Sequence, residues 1–190
     1  TARALYPKKK ILPVGNAGLI EALQMQGLSL VDHEHAAEAE VVVMGKDPAF
    51  NQDTLDLVCQ AIWRGAEFIA TNYDQKVPVA EGFKPGTGAM VKAVAYATGR
   101  EPLVTGKPSR WAGEMAMKVL GIHPSRGAVV GDQLETDILM GKRAELFTIL
   151  VLTGATTPEM AAAAEDNLRP DLVLPDVTHL VPWLDQGEAK

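Results

Sequence analysis

The chain has 190 residues, 47% of them hydrophobic, and 18 Lys and Arg stand against 24 Asp and Glu for a net charge of −6. That balance, with no basic stripe interleaved with aromatics, argues against a nucleic-acid binder, and no apolar run is long enough to span a bilayer. A single cysteine, Cys59, excludes an intrachain disulfide and reads as a small core residue, and with no signal peptide or lipidation motif the cytoplasm is the default location.

The length fits one or two domains. Thr1 to Tyr6 read as the end of something rather than a start, and Lys8-Lys9-Lys10 as a solvated turn. Ile11 to Val14 form a strand broken by Gly15-Asn16, Ala17 to Met25 a helix, and Leu28 to Val31 another short strand. Asp32-His33-Glu34-His35 has the look of a metal site, but the ligand count is low and a charged loop is the simpler reading. Val41 to Met44 is an apolar run of the kind buried on both faces of a parallel sheet. Asn51 caps a helix to about Trp63, with Leu55, Val58, Cys59 and Ile62 on its inner stripe; Gly65 ends it, and Phe68 to Ala70 is the next strand. Strands alternating with helices predict an α/β layer structure with a largely parallel sheet. Thr71 to Pro78 is a polar loop. Pro85-Gly86-Thr87-Gly88 opens a helix to Ala97; it lacks the Gly-Lys-Ser/Thr ending of a P-loop, so close packing explains its glycines better than phosphate binding. Gly99 to Pro102 read as a hinge between domains 1–99 and 100–190.

The second part holds two candidate chemical stretches. In Val104-Thr105-Gly106-Lys107-Pro108-Ser109 a strand ends at a glycine, a lysine follows, and Pro108 begins a helix. In Gly127-Ala128-Val129-Val130-Gly131-Asp132-Gln133-Leu134-Glu135-Thr136-Asp137-Ile138 a fully buried strand stops at Gly131 and delivers Asp132, with Asp137 five residues later. Gly131 allows a sharp turn and a close approach to a ligand. Two carboxylates in that spacing suit one hard cation such as magnesium; the plainer alternative is a helix cap at Asp132 and a solvated Asp137. If the two strands are parallel members of one sheet, Lys107 lies at the same edge as Asp132 and balances charge there. The remaining elements are a helix over Trp111 to Leu120, a helix through Met140 to Ala144, a strand over Phe147 to Leu152, a helix from Thr157 to Ala164, a strand over Leu172 to Leu174, and a closing helix from Val177 to Leu184. The tail beyond it is expected to fray.

The stretch from Gly131 to Ile138 resembles the GDxxxTDI motif of the haloacid dehalogenase (HAD) superfamily. More narrowly, it is similar to the NagD, para-nitrophenyl phosphatase and phosphoglycolate phosphatase branch. Ala70 to Asp74, Pro85 to Gly88, Gly106 to Ser109 and Leu150 to Gly154 extend the resemblance, in family order, over nearly the whole chain. The resemblance implies a Rossmann-like core, present here as its C-terminal part, plus a large α/β cap domain. It implies a phosphoric monoester hydrolase acting on small phosphorylated metabolites through an aspartyl-phosphate, with Mg2+ held by Asp132 and Asp137 and charge steadied by Lys107. Asn72, Tyr73, Asp74 and Lys76 fall on the cap loop that helps choose the substrate, the 32–35 loop falls in the cap away from the chemistry, and relatives often dimerise through the cap. The chain departs from the family in two places. Where relatives usually carry a positive-φ glycine after the helix, this chain has Glu145. The nucleophile motif Asp-x-Asp occurs nowhere in the 190 residues, so the first core segment is expected to be absent and the chain alone inactive. A non-catalytic α/β binding or regulatory protein is the alternative. A receiver-like module is a weaker third reading, disfavoured by the cap-sized first half.

Overall fold

A computed structural model describes residues 1–79 and 81–185; the expected fraying of the tail concerns residues 186–190, outside the described residues. The chain divides into two compact units, Thr1–Gly106 and Lys107–Lys190. The first begins with a one-turn helix, α1 (Ala2–Leu5), followed by β1 (Lys10–Val14), α2 (Ala17–Met25), β2 (Ser29–Leu30), β3 (Val41–Met44), α3 (Gln52–Trp63) and β4 (Glu67–Ala70). A two-stranded ribbon, β5 (Lys76–Val79) and β6 (Gly82–Pro85), then leads to α4 (Thr87–Thr98) and β7 (Leu103–Val104). The main sheet runs β2-β1-β3-β4-β7, every pair parallel.

Parallel strands covered on both faces need apolar side chains at consecutive positions, and the burial divides accordingly. Leu12, Val14, Val42, Met44, Phe68 and Ala70 face one way, onto Val58, Cys59 and Ile62 of α3 and Val91 and Val94 of α4. Ile11, Val41, Val43 and Ile69 face the other way, onto Leu23 and Leu28, with Ala2 and Tyr6 of the leading segment packed against them. Asn16 and Asn51 start α2 and α3 by accepting from the backbone N–H of Leu19 and Thr54, as their positions predict. Cys59 is free and buried, and burial pushes its thiol up.

Two expectations are corrected in this unit. Gly99 does not open a hinge between domains: it ends α4 in the left-handed region (φ 66), and the chain returns to pair β7 with β4. The division therefore falls after Gly106, not after residue 99. The expected polar loop over Thr71 to Pro78 is a loop only to Gln75, because the antiparallel β5–β6 pairing takes up the rest. That ribbon is stabilised by cross-strand contacts, including the Lys76 ammonium over the Phe83 ring at 4.3 Å, which no local apolar run announces.

The second unit contains α5 (Arg110–Leu120), β8 (Ala128–Gly131), α6 (Leu139–Arg143), β9 (Phe147–Val151), α7 (Pro158–Ala162), β10 (Leu172–Leu174) and α8 (Leu180–Asp185). Its strands are parallel in the order β10-β9-β8. Central β9 is buried from Thr148 to Val151, whereas β8 alternates between exposed and half-buried. The fully buried β8 expected from its sequence is thus not found: it is an edge strand of the described sheet, and Val130 remains 39% exposed. Pro108 likewise does not begin a helix. It follows a cis peptide, and Ser109 caps α5 by accepting from Trp111 N–H.

Below β9, Asp171 accepts from the backbone N–H and the hydroxyl of Thr148 and pairs with Lys142 at 2.6 Å. Burial raises the Asp171 carboxyl, but the hydrogen bonds from Lys142 and Thr148 outweigh it and hold the group below its usual value. At the end of α6, Leu146 N–H donates to Gly141 C=O and Glu145 N–H to Lys142 C=O, the paired bonds of a Schellman turn. That turn puts Glu145 at φ 58, where a Cβ is strained. Glu145→Gly is expected to stabilise the protein by about 1 kcal/mol, read as a rise in the urea midpoint at unchanged slope; a lower midpoint would show that the Glu145 side chain contributes more than the strain costs.

Candidate active site

Three residues singled out in the sequence meet in the second unit. Lys107 Nζ donates to Asp137 Oδ1 at 2.7 Å, and Asp137 Oδ2 accepts from the backbone N–H groups of Asp132 and Gln133, both at 3.2 Å. Asp137 is therefore not a solvated surface acid. Its residue is 6% exposed, and its two oxygens hold the lysine on one side and the turn after β8 on the other. The turn is a single π-helical segment over Leu134–Ile138, a local widening often seen at functional sites. Leu134 and Ile138 anchor it by packing on Leu150 and Ala164. A Cβ on Gly131 would strike the Asp137 side chain. Gly131 is thus required for closeness to Asp137, and its φ is not positive.

Lys107 arrives by a route that the sequence did not suggest. β7 belongs to the sheet of the first unit, so Lys107 and Asp132 do not project from neighbouring strands of one sheet. The ion pair with Asp137 brings the lysine to the turn instead.

Asp132 is held by the loop after β9. Its Oδ2 accepts from Ala155 N–H at 2.8 Å, and its backbone C=O accepts from the Thr156 hydroxyl at 2.6 Å. A Cβ on Gly154 would strike the Asp132 carboxylate. Sequence reasoning named Gly154 only as part of a resemblance and passed over Ala155 and Thr156. The available signal was a run of small residues following a buried strand, which carries no pointer to a partner 22–24 positions earlier.

The other candidate residues lie in the first unit, in the loop after β4 and at the start of β5. Tyr73 O–H donates to Glu101 at 2.7 Å, and Lys92 pairs with the same carboxylate while lying 5.0 Å from the Tyr73 ring centre. The hydrogen bond from Tyr73, then Lys92, pulls the Glu101 carboxyl below its usual value. Asp74 C=O accepts from Gly88 N–H, and a Cβ on Gly86 or Gly88 would strike the Asp74 or Tyr73 carbonyl. The two glycines that open α4 serve close packing, as expected. Asn72 Oδ1 is buried without a hydrogen-bond partner among the described residues. Lys76 is on β5, against Phe83. The charged 32–35 segment is an exposed loop closed by Asp32, which accepts from His35 N–H at 3.0 Å. Among the described residues, no group of three or more His, Cys, Asp or Glu is placed to hold a metal by itself, and no helix is long and apolar enough to cross a membrane.

The site's geometry is an acidic turn after a parallel strand, with an ion-paired lysine beside it and glycines fitted to the two aspartates. Residues 104–180 match the HAD-hydrolase-like family model. The 5'-nucleotidase YutF of Bacillus subtilis (strain 168) is 33% identical over 187 residues, covering 97% of this chain and 71% of that protein. A p-nitrophenyl phosphatase from Archaeoglobus fulgidus superposes with a TM-score of 0.84 at 37% identity, over 96% of this chain and 69% of that one. The glycerol phosphate phosphatase Rv1692 from Mycobacterium tuberculosis, solved in complex with magnesium, gives 0.87 at 33% identity, over 94% of this chain and 54% of that one. The chain belongs to the HAD-like hydrolases, and its relatives there are phosphatases, among them NagD and acid sugar phosphatases.

Proposed function

We propose that this chain supplies the cation-binding and charge-balancing residues of a magnesium-dependent phosphatase for small phosphorylated metabolites. The observation that carries this reading is the Lys107–Asp137–Asp132 constellation at the end of β8, in which the lysine pairs with the Asp137 carboxylate and that carboxylate accepts from the backbone N–H of Asp132. The donors suit a hard ion, since they are carboxylate oxygens. Asp132 is the direct ligand in this reading, because Oδ2 is the oxygen that Ala155 engages and Oδ1 takes part in no hydrogen bond among the described residues. Asp137 has both oxygens engaged, so it supports the ion's surroundings and orients Lys107. Magnesium, when bound, neutralises phosphate charge. Lys107 keeps its ammonium beside the same turn and adds to that stabilisation. The first unit takes the role of cap, and its 71–75 loop, with Lys76 at the start of β5, reads the organic part of the substrate.

A second reading is a non-catalytic protein that keeps this fold and binds magnesium and phosphate without turnover. Both readings are tested by assembling this chain with the Asp-x-Asp segment of a relative. The assembled protein is assayed on p-nitrophenyl phosphate and sugar phosphates with magnesium or with chelator. Metal-dependent release of phosphate supports the enzyme; metal binding with no release in the assembled protein supports the second reading.

A further inference from the structure

Asp132 is fixed more thoroughly than a turn residue needs to be, and the elements that fix it come from the loop between β9 and α7. That loop is tied down at both ends. Leu152 N–H donates to the carbonyls of Leu174 and Pro175 at 3.1 and 3.2 Å, and Thr157 caps α7 by accepting from Met160 N–H. Between these anchors three consecutive residues meet Asp132. Gly154 leaves room for its carboxylate, Ala155 N–H donates to Oδ2, and the Thr156 hydroxyl donates to the backbone C=O. Thr156 is only 3% exposed, so its hydroxyl has little access to water, and Asp132 N–H is held separately by Asp137.

A buried hydroxyl has to find an acceptor, and a helix or strand carbonyl nearby would satisfy that need. Here it goes to the backbone of Asp132, whose Oδ1 takes part in no hydrogen bond among the described residues. With the backbone N–H, the backbone C=O and Oδ2 all engaged, the Asp132 side chain has little rotational freedom, and Oδ1 keeps a fixed direction. Groups that orient a metal ligand in this way commonly change affinity when removed.

We infer that Thr156 is a positioning residue for the cation site: through the Asp132 carbonyl, with Ala155 N–H and the space at Gly154, it sets the direction in which Asp132 presents its free oxygen. This inference rests on the reading of Asp132 as a magnesium ligand. The test is calorimetric titration of the 190-residue chain with Mg2+ alone, with thermal unfolding recorded for each variant. Thr156→Val keeps the shape and removes the hydroxyl, and is expected to weaken Mg2+ binding by about 10–100-fold. Thr156→Ser keeps the hydroxyl and is expected to stay within about threefold of the unaltered chain, well outside that range. A purely structural role would lower the unfolding temperature of Thr156→Val without changing Mg2+ affinity, and that result overturns the inference. Should Thr156→Val not fold, Gly154→Ala presses on the Asp132 carboxylate without touching the hydroxyl and must weaken Mg2+ binding too; unchanged binding there also overturns it. If the unaltered chain and Asp132→Asn are alike in showing no Mg2+ uptake, the metal reading itself falls and takes this inference with it, a result distinct from the other two.

Discussion

Asp132→Asn is expected to remove nearly all phosphatase activity from the assembled protein, by at least about 10²-fold, the scale on which single preorganised electrostatic groups act. The substitution is close to isosteric. An amide oxygen still accepts from Ala155 N–H, and the backbone bonds to Thr156 and Asp137 do not involve the changed atoms. The fold should therefore survive, and the loss should come from the charge. A neutral oxygen is a poor ligand for magnesium compared with a carboxylate, so Mg2+ affinity should fall with the activity. Lys107→Ala should act on a similar scale, about 10²-fold in kcat, for a different reason. It removes the ammonium proposed to face the phosphate and leaves Asp137, a buried carboxylate, with two backbone donors among the described residues. Initial rates with p-nitrophenyl phosphate over a magnesium series check both. Wild-type rates in Asp132→Asn would displace the site from the end of β8.

The 190 residues on their own are expected to turn over no phosphate monoester, because none of the aspartates in the second unit is available as a nucleophile. Asp171 is held by Thr148 and Lys142, and Asp176 caps the 3-10 turn Val177–His179 that precedes α8. Hydrogen bonds from Thr178 and His179 pull the Asp176 carboxyl down to about 2. Asp166 pairs with Arg169 in an exposed turn, and Asp185 ends α8. Asp137 has both oxygens engaged, and Asp132 is the metal ligand in this reading. Covalent phosphoryl transfer needs a carboxylate positioned near phosphorus, and placement of the remaining charges does not substitute for one. The measurement is phosphate release by the purified chain with magnesium, before and after an Asp-x-Asp segment is added as a second chain. Release that appears only after addition supports a divided site. Release by the chain alone, abolished in Asp132→Asn, would mean that one of these aspartates does attack phosphorus.

Much of the first unit was legible in the sequence because its signals are local or periodic. Asn16 and Asn51 supply side-chain acceptors to the first free N–H groups of α2 and α3, and the consecutive apolar residues of β1, β3 and β4 follow from two covered faces. The candidates Lys107, Asp132 and Asp137, which the structure brings together, were singled out through the resemblance of their motifs, and the strain at Glu145 through a departure from that resemblance. Partnership was not legible. The sequence of β8 reads as buried, yet burial depends on what lies beside a strand, and β8 lies at an edge. The hairpin of β5 and β6 and the return of β7 to β4 depend on hydrogen bonds between backbones, which every residue but proline offers alike. The grip on Asp132 by Gly154, Ala155 and Thr156 has the same origin: a missing Cβ, a main-chain N–H and one hydroxyl acquire meaning only when the fold brings them across more than 20 residues to a carboxylate. The sequence by itself determined which groups are charged, where the capped helices α2 and α3 begin and which strands are apolar. Tertiary structure alone decided which of those groups are held, and in which direction, because that is a matter of distances between elements that no local pattern encodes.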